Sequence, residues 1–263
     1  MLTAEQRKAF DESGVVRLPR AVDPRVVGAL RDEILAWIAQ RGLAPEAKPH
    51  CHAIMPSKLA RVANAHGFEE IWGAAVLAVI DEILGPGEWL LPKTAGQLLA
   101  MPWPTSAVTW ELPHGSWHLD YRAPGAARAL PGLQLFLCVD RIESRSAATL
   151  VAAGTPRLID GIRRRAGDSW PGSSSEVRKA LRREVPWFRE LSSVRPGEDR
   201  VMRFMSHSTE FSGGSLQVVE LVGEPGDVWL MHPWMVHAGS SNCGTRPRMA
   251  LTERIRTPEG CAS

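Results

Sequence analysis

Hydrophobic positions recur every three or four residues through the first third of the chain, then give way to short apolar runs cut by proline and glycine. Thr3 is placed to cap a short helix ending near Gly14, and Val15 to Leu18 reads as a strand stopped by Pro19. Asp23-Pro24 starts a second helix, in which Val26, Val27, Leu30, Ile34 and Trp37 keep one apolar face until Gly42. A third covers about Phe68 to Leu84, with Ile71, Trp72, Val76, Val79, Ile80 and Ile83 on its apolar side and Gly85-Pro-Gly as its terminator. The prolines of Pro49-His-Cys-His-Ala-Ile-Met-Pro make a loop between those two helices.

Beyond Leu90 the pattern is that of a β-sandwich or barrel. Expected strands are Thr94 to Met101, Val108 to Leu112, Trp117 to Tyr121, Leu133 to Asp140, Thr149 to Ala152, Val201 to Met205, Leu216 to Val222, Asp227 to Met231, Met235 to Ala238 and Arg248 to Arg256. A charged helical insert from about Thr155 to Leu191 interrupts them, with Ser174 or Ser175 capping Glu176 to Arg183. Helices followed by many strands predict a mainly β fold with N-terminal helices, an antiparallel sandwich buttressed by α-helices. The whole chain, 1–263, reads as one domain: a helical support over 1–90 and a β core over 91–256 that carries the insert at about 155–191.

Composition narrows the function classes. A formal charge of +2 on 263 residues, with 44% hydrophobic and 23% charged residues, is ordinary for a folded globular chain and argues against a nucleic-acid partner. Arg163 to Arg165 and the stretch Arg178 to Arg183 read as a solvated helix face, with a lid over an anionic substrate as the second reading. Cys51, Cys138, Cys243 and Cys261 form no Cys-x-x-Cys pair, which fits reduced thiols and a cytoplasmic location. The polar amino terminus is unlike a secretion signal, and the apolar run Ala74 to Ile80 is too short to span a bilayer, so no membrane association is expected.

The sharpest local feature is Trp117-His118-Leu119-Asp120-Tyr121. On a strand, residues two apart share a face, so the His118 imidazole and the Asp120 carboxylate project together. A third metal ligand must come from elsewhere, and His237 is the candidate, in the segment from Gly226-Asp227 through His232-Pro233 to Asn242. Two histidines and one carboxylate on one face of an octahedron, with positions left open, is the ligand set typical of iron(II) oxygenases. Eleven residues after His237 comes Arg248, returned by the turn Asn242-Cys-Gly-Thr245, whose planar donor fork suits the distal carboxylate of 2-oxoglutarate. Arg246 is its rival, because Pro247 upsets strand parity.

His118-x-Asp120, then Gly226-Asp-(x)4-His232-Pro-(x)3-His237-(x)4-Asn242, then Arg248, resembles the phytanoyl-CoA dioxygenase family of iron and 2-oxoglutarate enzymes over about Thr94 to Arg256. That resemblance implies a double-stranded β-helix (jelly roll, cupin-like), with His118, Asp120 and His237 as ligands of Fe(II) and Arg248 gripping 2-oxoglutarate beside O2. It also implies a polar side chain near Gln97 or Gln134 in the co-substrate pocket. Gly154-Thr155-Pro156-Arg157 stands where many relatives show Gly-Ser-His-Arg, so no role borrowed from that histidine carries over.

Rival readings sit beside these. His232 could compete as a ligand, or be a strand-end histidine bonded to backbone. His50 and His52 flank Cys51 without a second ligand pair for zinc, and His114 in Pro113-His-Gly is expected to face solvent. Trp103, Trp110, Trp117, Trp229 and Trp234 read as core filling or as stacking faces for a sugar or an aromatic ring. The expected activity is oxidation of a C–H bond of a small molecule by hydroxylation or oxidative cyclisation, a tailoring step in secondary metabolism such as antibiotic biosynthesis. With Asp120 present the position a halide would need is filled, so halogenation is disfavoured. The alternatives are a cupin-type metal-dependent hydrolase or isomerase and a non-catalytic sugar-binding β-sandwich. Substrate identity, stereochemical outcome and oligomeric state have no signature in the sequence.

Overall fold

The computed structural model describes residues 1–40, 61–101, 109–123, 130–170, 172–195 and 197–258. Helix α1 (Ala4–Ser13) is opened by a capping box, in which Thr3 Oγ1 accepts from Gln6 N–H at 3.1 Å and Gln6 Oε1 accepts from Thr3 N–H at 2.9 Å. It ends at Gly14, whose φ of +79° is left-handed, and a Cβ there would lie 2.4 Å from Pro156 Cγ. Strand β1 (Val15–Leu18) follows, then α2 (Pro24–Gln40) and α3 (Phe68–Leu84), all close to their expected limits. The loop expected at Pro49 to Pro56 lies outside the described residues.

Two antiparallel sheets form the framework. The larger has the order β1-β7-β3-β9-β2, built from β2 (Gln97–Met101), β3 (Gly132–Cys138), β7 (Val228–Met231) and β9 (Arg248–Arg256) with β1. The smaller has the order β5-β6-β4-β8, from β4 (Leu150–Ala153), β5 (Thr209–Phe211), β6 (Gly214–Glu220) and β8 (His237–Ala238). Asp227, at the foot of β7, ties β1 to this frame: its buried carboxylate accepts from the Arg17 guanidinium, from Arg20 N–H at 2.8 Å and from Glu224 N–H at 2.7 Å.

Strand parity decides what each face does. On β3, Leu133, Leu135 and Leu137 join Met249, Leu251 and Ile255 of β9 against Val27, Leu30 and Ile34 of α2 and Trp72, Val76 and Ile80 of α3. Burying each of these side chains contributes on the order of 1.5–3 kcal/mol, so the helices fix one face of the large sheet. The opposite face, turned toward the small sheet, carries Gln134 and Phe136 of β3 with Arg248, Thr252 and Arg254 of β9.

Behind the small sheet lies the expected insert, as α4 (Thr155–Ala166), α5 (Ser174–Glu184) and α6 (Pro186–Leu191). Ile159, Val177, Leu181, Trp187 and Phe188 pack there on Ala152, Leu216 and Val236. The cap of α5 is Ser173, whose hydroxyl accepts from Glu176 N–H, rather than Ser174 or Ser175. Met202–Ser206, overlapping the segment expected as a strand, is a short π-helix, in which only Phe204 turns fully inward while Met202 stays half exposed. Of the expected strand Val108 to Leu112, residues 109–112 have no regular structure and Val108 lies outside the described residues.

Candidate metal centre

His118 and His237 form an isolated antiparallel bridge, each backbone N–H donating to the other's carbonyl at 2.9 Å. Such a pair puts both side chains on one face, and the ring centroids are 4.3 Å apart. The segment Trp117 to Tyr121 is therefore extended around a single bridge rather than a full strand, but His118 and Asp120 still turn to the same side. His118 Nδ1 donates to the Ser116 carbonyl at 2.9 Å and His237 Nδ1 to the Met235 carbonyl at 3.1 Å. Carbonyls only accept, so both protons sit on Nδ1 and both Nε2 lone pairs face the cavity. Burial, then the close approach of the His237 ring, lowers the pKa of His118, which keeps its imidazole neutral and able to ligate.

Asp120 stands between the two rings: its Oδ1 is 3.6 Å from His118 Nε2 and its Oδ2 is 3.6 Å from His237 Nε2. One ligand atom from each of the three residues falls within 4.8 Å of the others. Gln134, opposite on β3, donates from Nε2 to Asp120 Oδ2 at 2.7 Å and to Thr252 Oγ1 at 3.3 Å, and Thr252 donates in turn to the Leu135 carbonyl. Burial raises the pKa of Asp120, yet the adjoining His237 and the Gln134 amide, with the field of Arg254, hold it below the ordinary carboxylate range.

These residues line a cavity of about 560 Å³ between the sheets. At its floor Arg248, 6% exposed, donates to the Leu99 carbonyl and to Thr149 Oγ1, each at 3.1 Å. Burial lowers its pKa to about 10, which still leaves it cationic at neutral pH, and its Nε has no hydrogen-bond partner among the described residues. Arg246 turns away to pair with Asp140 at 3.2 Å and does not reach the cavity. Gln97 lines the mouth, exposed, in register with Thr252.

The other candidates fall elsewhere. His232 accepts from Trp234 N–H at 3.0 Å through Nδ1 and lies outside the cluster, the strand-end role. Trp110, Trp117 and Trp234 pack under the insert helices and Trp229 bonds the Val222 carbonyl, so none of these four lines the cavity. Trp103, His50, Cys51 and His52 lie outside the described residues, and His114 is exposed as expected. Thr149, Thr252 and Arg254 were not singled out from the sequence. Counting alternate positions along β9 from Arg248 would have found the last two.

Jelly-roll sheets around a two-histidine, one-carboxylate cluster define an enzyme of the double-stranded β-helix oxygenase class. Residues 10–250 match the model of the phytanoyl-CoA dioxygenase (PhyH) family, and the chain belongs to that family. Among solved structures, HygX from Streptomyces hygroscopicus, with nickel and 2-oxoglutarate bound, is 14% identical over 98% of this chain and 88% of its own, with a TM-score of 0.50. EctD from S. alaskensis in its apo form is 14% identical over 98% of this chain and 78% of its own, at 0.52. The epimerase SnoN from nogalamycin biosynthesis is 14% identical over 96% of this chain and 82% of its own, at 0.50. These likenesses establish the fold. Comparison with curated protein sequences gives no significant match. Among the described residues no helix is long and apolar enough to cross a membrane.

Proposed function

We propose that the chain is an Fe(II)- and 2-oxoglutarate-dependent oxygenase acting on a small molecule, with His118, Asp120 and His237 as the metal ligands. The observation that carries this reading is the pair of Nε2 lone pairs and the Asp120 carboxylate, all facing one point at the cavity wall. Two nitrogens and one hard oxygen suit ferrous iron and leave coordination positions for other ligands. Arg248 supports the second half: a buried guanidinium with no carboxylate beside it among the described residues, and with an unpaired Nε, is complementary to a carboxylate brought by a ligand. It would grip the distal carboxylate of 2-oxoglutarate, with the Thr149 hydroxyl beside it.

Once bound, iron(II), 2-oxoglutarate and O2 supply the oxidising power to attack a C–H bond, leaving succinate and carbon dioxide. The residues bind, orient and exclude water. The backbone carbonyls of Ser116 and Met235 hold the imidazoles in register, and Gln134 fixes one oxygen of Asp120. Gln97 stands at the cavity mouth, in register with Thr252 and not with Arg248, while the contact of Gln134 favours a part in positioning Asp120 over one in binding co-substrate. Within this scheme the substrate is a secondary metabolite, tailored by hydroxylation or oxidative cyclisation.

Succinate release from 2-oxoglutarate with added iron(II) tests the reading. Wild type should form succinate, and His118→Ala should not. Oxygen-independent turnover without succinate would replace this reading by a metal-dependent hydrolase or isomerase.

A further inference from the structure

Arg254 lies on the same face of β9 as Arg248, six residues farther on, roughly 20 Å along the strand, and both line the one cavity. It pairs in register with Gln134, the residue bonded to Asp120, and cross-strand partners stand about 5 Å apart at Cβ. The two arginines differ in what they meet. Arg248 is buried and held by Leu99 and Thr149, whereas Arg254 is exposed and its guanidinium has no hydrogen-bond or ion-pair partner among the described residues.

One other carboxylate lines the cavity besides Asp120, that of Glu253, and it accepts from the backbone N–H of Arg254 at 2.9 Å rather than from its side chain. Glu253 and Asp120 both feel the field of Arg254, but no carboxylate forms an ion pair with its guanidinium among the described residues. On the functional reading above, the metal dication, Asp120, the doubly charged co-substrate and Arg248 compensate one another. Glu253 and Arg254 then remain, and the guanidinium of Arg254 is the one whose donor fork is unoccupied among the described residues, beside the carboxylate ligand and at the open end of the cavity.

We propose that Arg254 is a specificity-determining residue that takes a carboxylate or phosphate group of the substrate, so that the substrate is a small anionic molecule anchored at the mouth of the cavity. The inference rests on the metal and co-substrate reading. Its geometry is that of two anion sites on one strand, the inner for co-substrate and the outer for substrate, with the metal ligands between them. A planar donor fork orients such a group as well as attracting it, which fixes the part of the molecule presented to the metal centre.

The test uses the full chain loaded with Ni(II) and excess 2-oxoglutarate, so that Arg248 is occupied, and titrates acetate and inorganic phosphate, with acetamide as the neutral control. Wild type, Arg254→Gln and Arg256→Gln are compared; Arg256 is exposed, shares the face of β9 and lies outside the cavity lining. Expected is binding of at least one anion and not of acetamide, weakened at least tenfold in Arg254→Gln and unchanged in Arg256→Gln. Absence of anion binding by loaded wild type, equal binding by Arg254→Gln, or an equal loss in Arg256→Gln would overturn the proposal. So would loss of 2-oxoglutarate loading in Arg254→Gln, which would make Arg254 a co-substrate residue. Failure of wild type to load at all strikes the functional reading itself, and is seen before any anion is added.

Discussion

Gln134 Nε2 donates to Asp120 Oδ2 at 2.7 Å while its own Oε1 is buried with no partner among the described residues. Leaving a buried acceptor unpaired costs about 1–3 kcal/mol, so the side chain is held in place by what its amide nitrogen does: it bonds Asp120 and Thr252 together. Gln134→Leu removes both donations and frees the Asp120 carboxylate to rotate. Metal affinity should fall roughly 10–100-fold with the fold intact, as measured by equilibrium dialysis of Ni(II), because contacts of this kind orient the ligand without being ligands. Affinity unchanged within twofold would remove Gln134 from the site.

Arg248→Met should raise the Kd for 2-oxoglutarate at least roughly 30-fold, since truncating one partner of a buried charge pair costs about 2–5 kcal/mol. Arg248→Lys keeps the charge and loses the fork, so it should fall between the two. Thr149→Val removes one neutral acceptor and should cost about 1 kcal/mol, or near fivefold. Calorimetric titration of the Ni(II)-loaded protein reads all three.

His232 carries a pH prediction. Burial lowers its pKa to about 3, and its Nδ1 accepts from Trp234 N–H, so the folded protein holds it neutral. Between its ordinary value of 6.5 and about 3 the unfolded chain binds a proton that the folded one does not. Stability is thus full above pH 6.5 and falls as pH drops through that window, by at most ~1.4 kcal/mol per pH unit from this group. His232→Asn retains an acceptor for Trp234 without a titrating ring. Urea denaturation between pH 4 and 8 should give a flatter stability curve for that variant, and parallel curves would contradict the assignment.

Gly14→Ala probes the joint between α1 and the sheet. The left-handed φ and a Cβ within 2.4 Å of Pro156 Cγ together predict a loss of about 1–3 kcal/mol in stability, read by chemical denaturation. Iron affinity per folded molecule should be unaffected.

The elements most legible in the sequence were those whose signal is local. Thr3 and Gly14 mark the ends of α1, the apolar stripe of α3 faces the core, and His118, Asp120 and His237 stand out because a strand repeat places two ligands together. Where the outcome depended on partners distant in sequence, the pattern was ambiguous. Val201 to Met205 has the composition of a strand, but Phe204 alone finds a deep slot under the insert helices, and the backbone coils to deliver it. Pro247 hid which of Arg246 and Arg248 faces the cavity: Arg246 pairs with Asp140, and Arg248 lines the cavity. Thr149 enters the cavity wall beside Arg248, 99 residues farther on, a pairing that a single sequence does not encode legibly.

Anaerobic equilibrium binding of Fe(II), with and without 2-oxoglutarate, tests the central claim most directly. Wild type should hold one iron per chain, more tightly when 2-oxoglutarate is present, and His118→Ala, Asp120→Ala and His237→Ala should each retain essentially none while staying folded. Wild type that binds no iron, or triad variants that bind it as wild type does, would contradict the assignment of these three side chains.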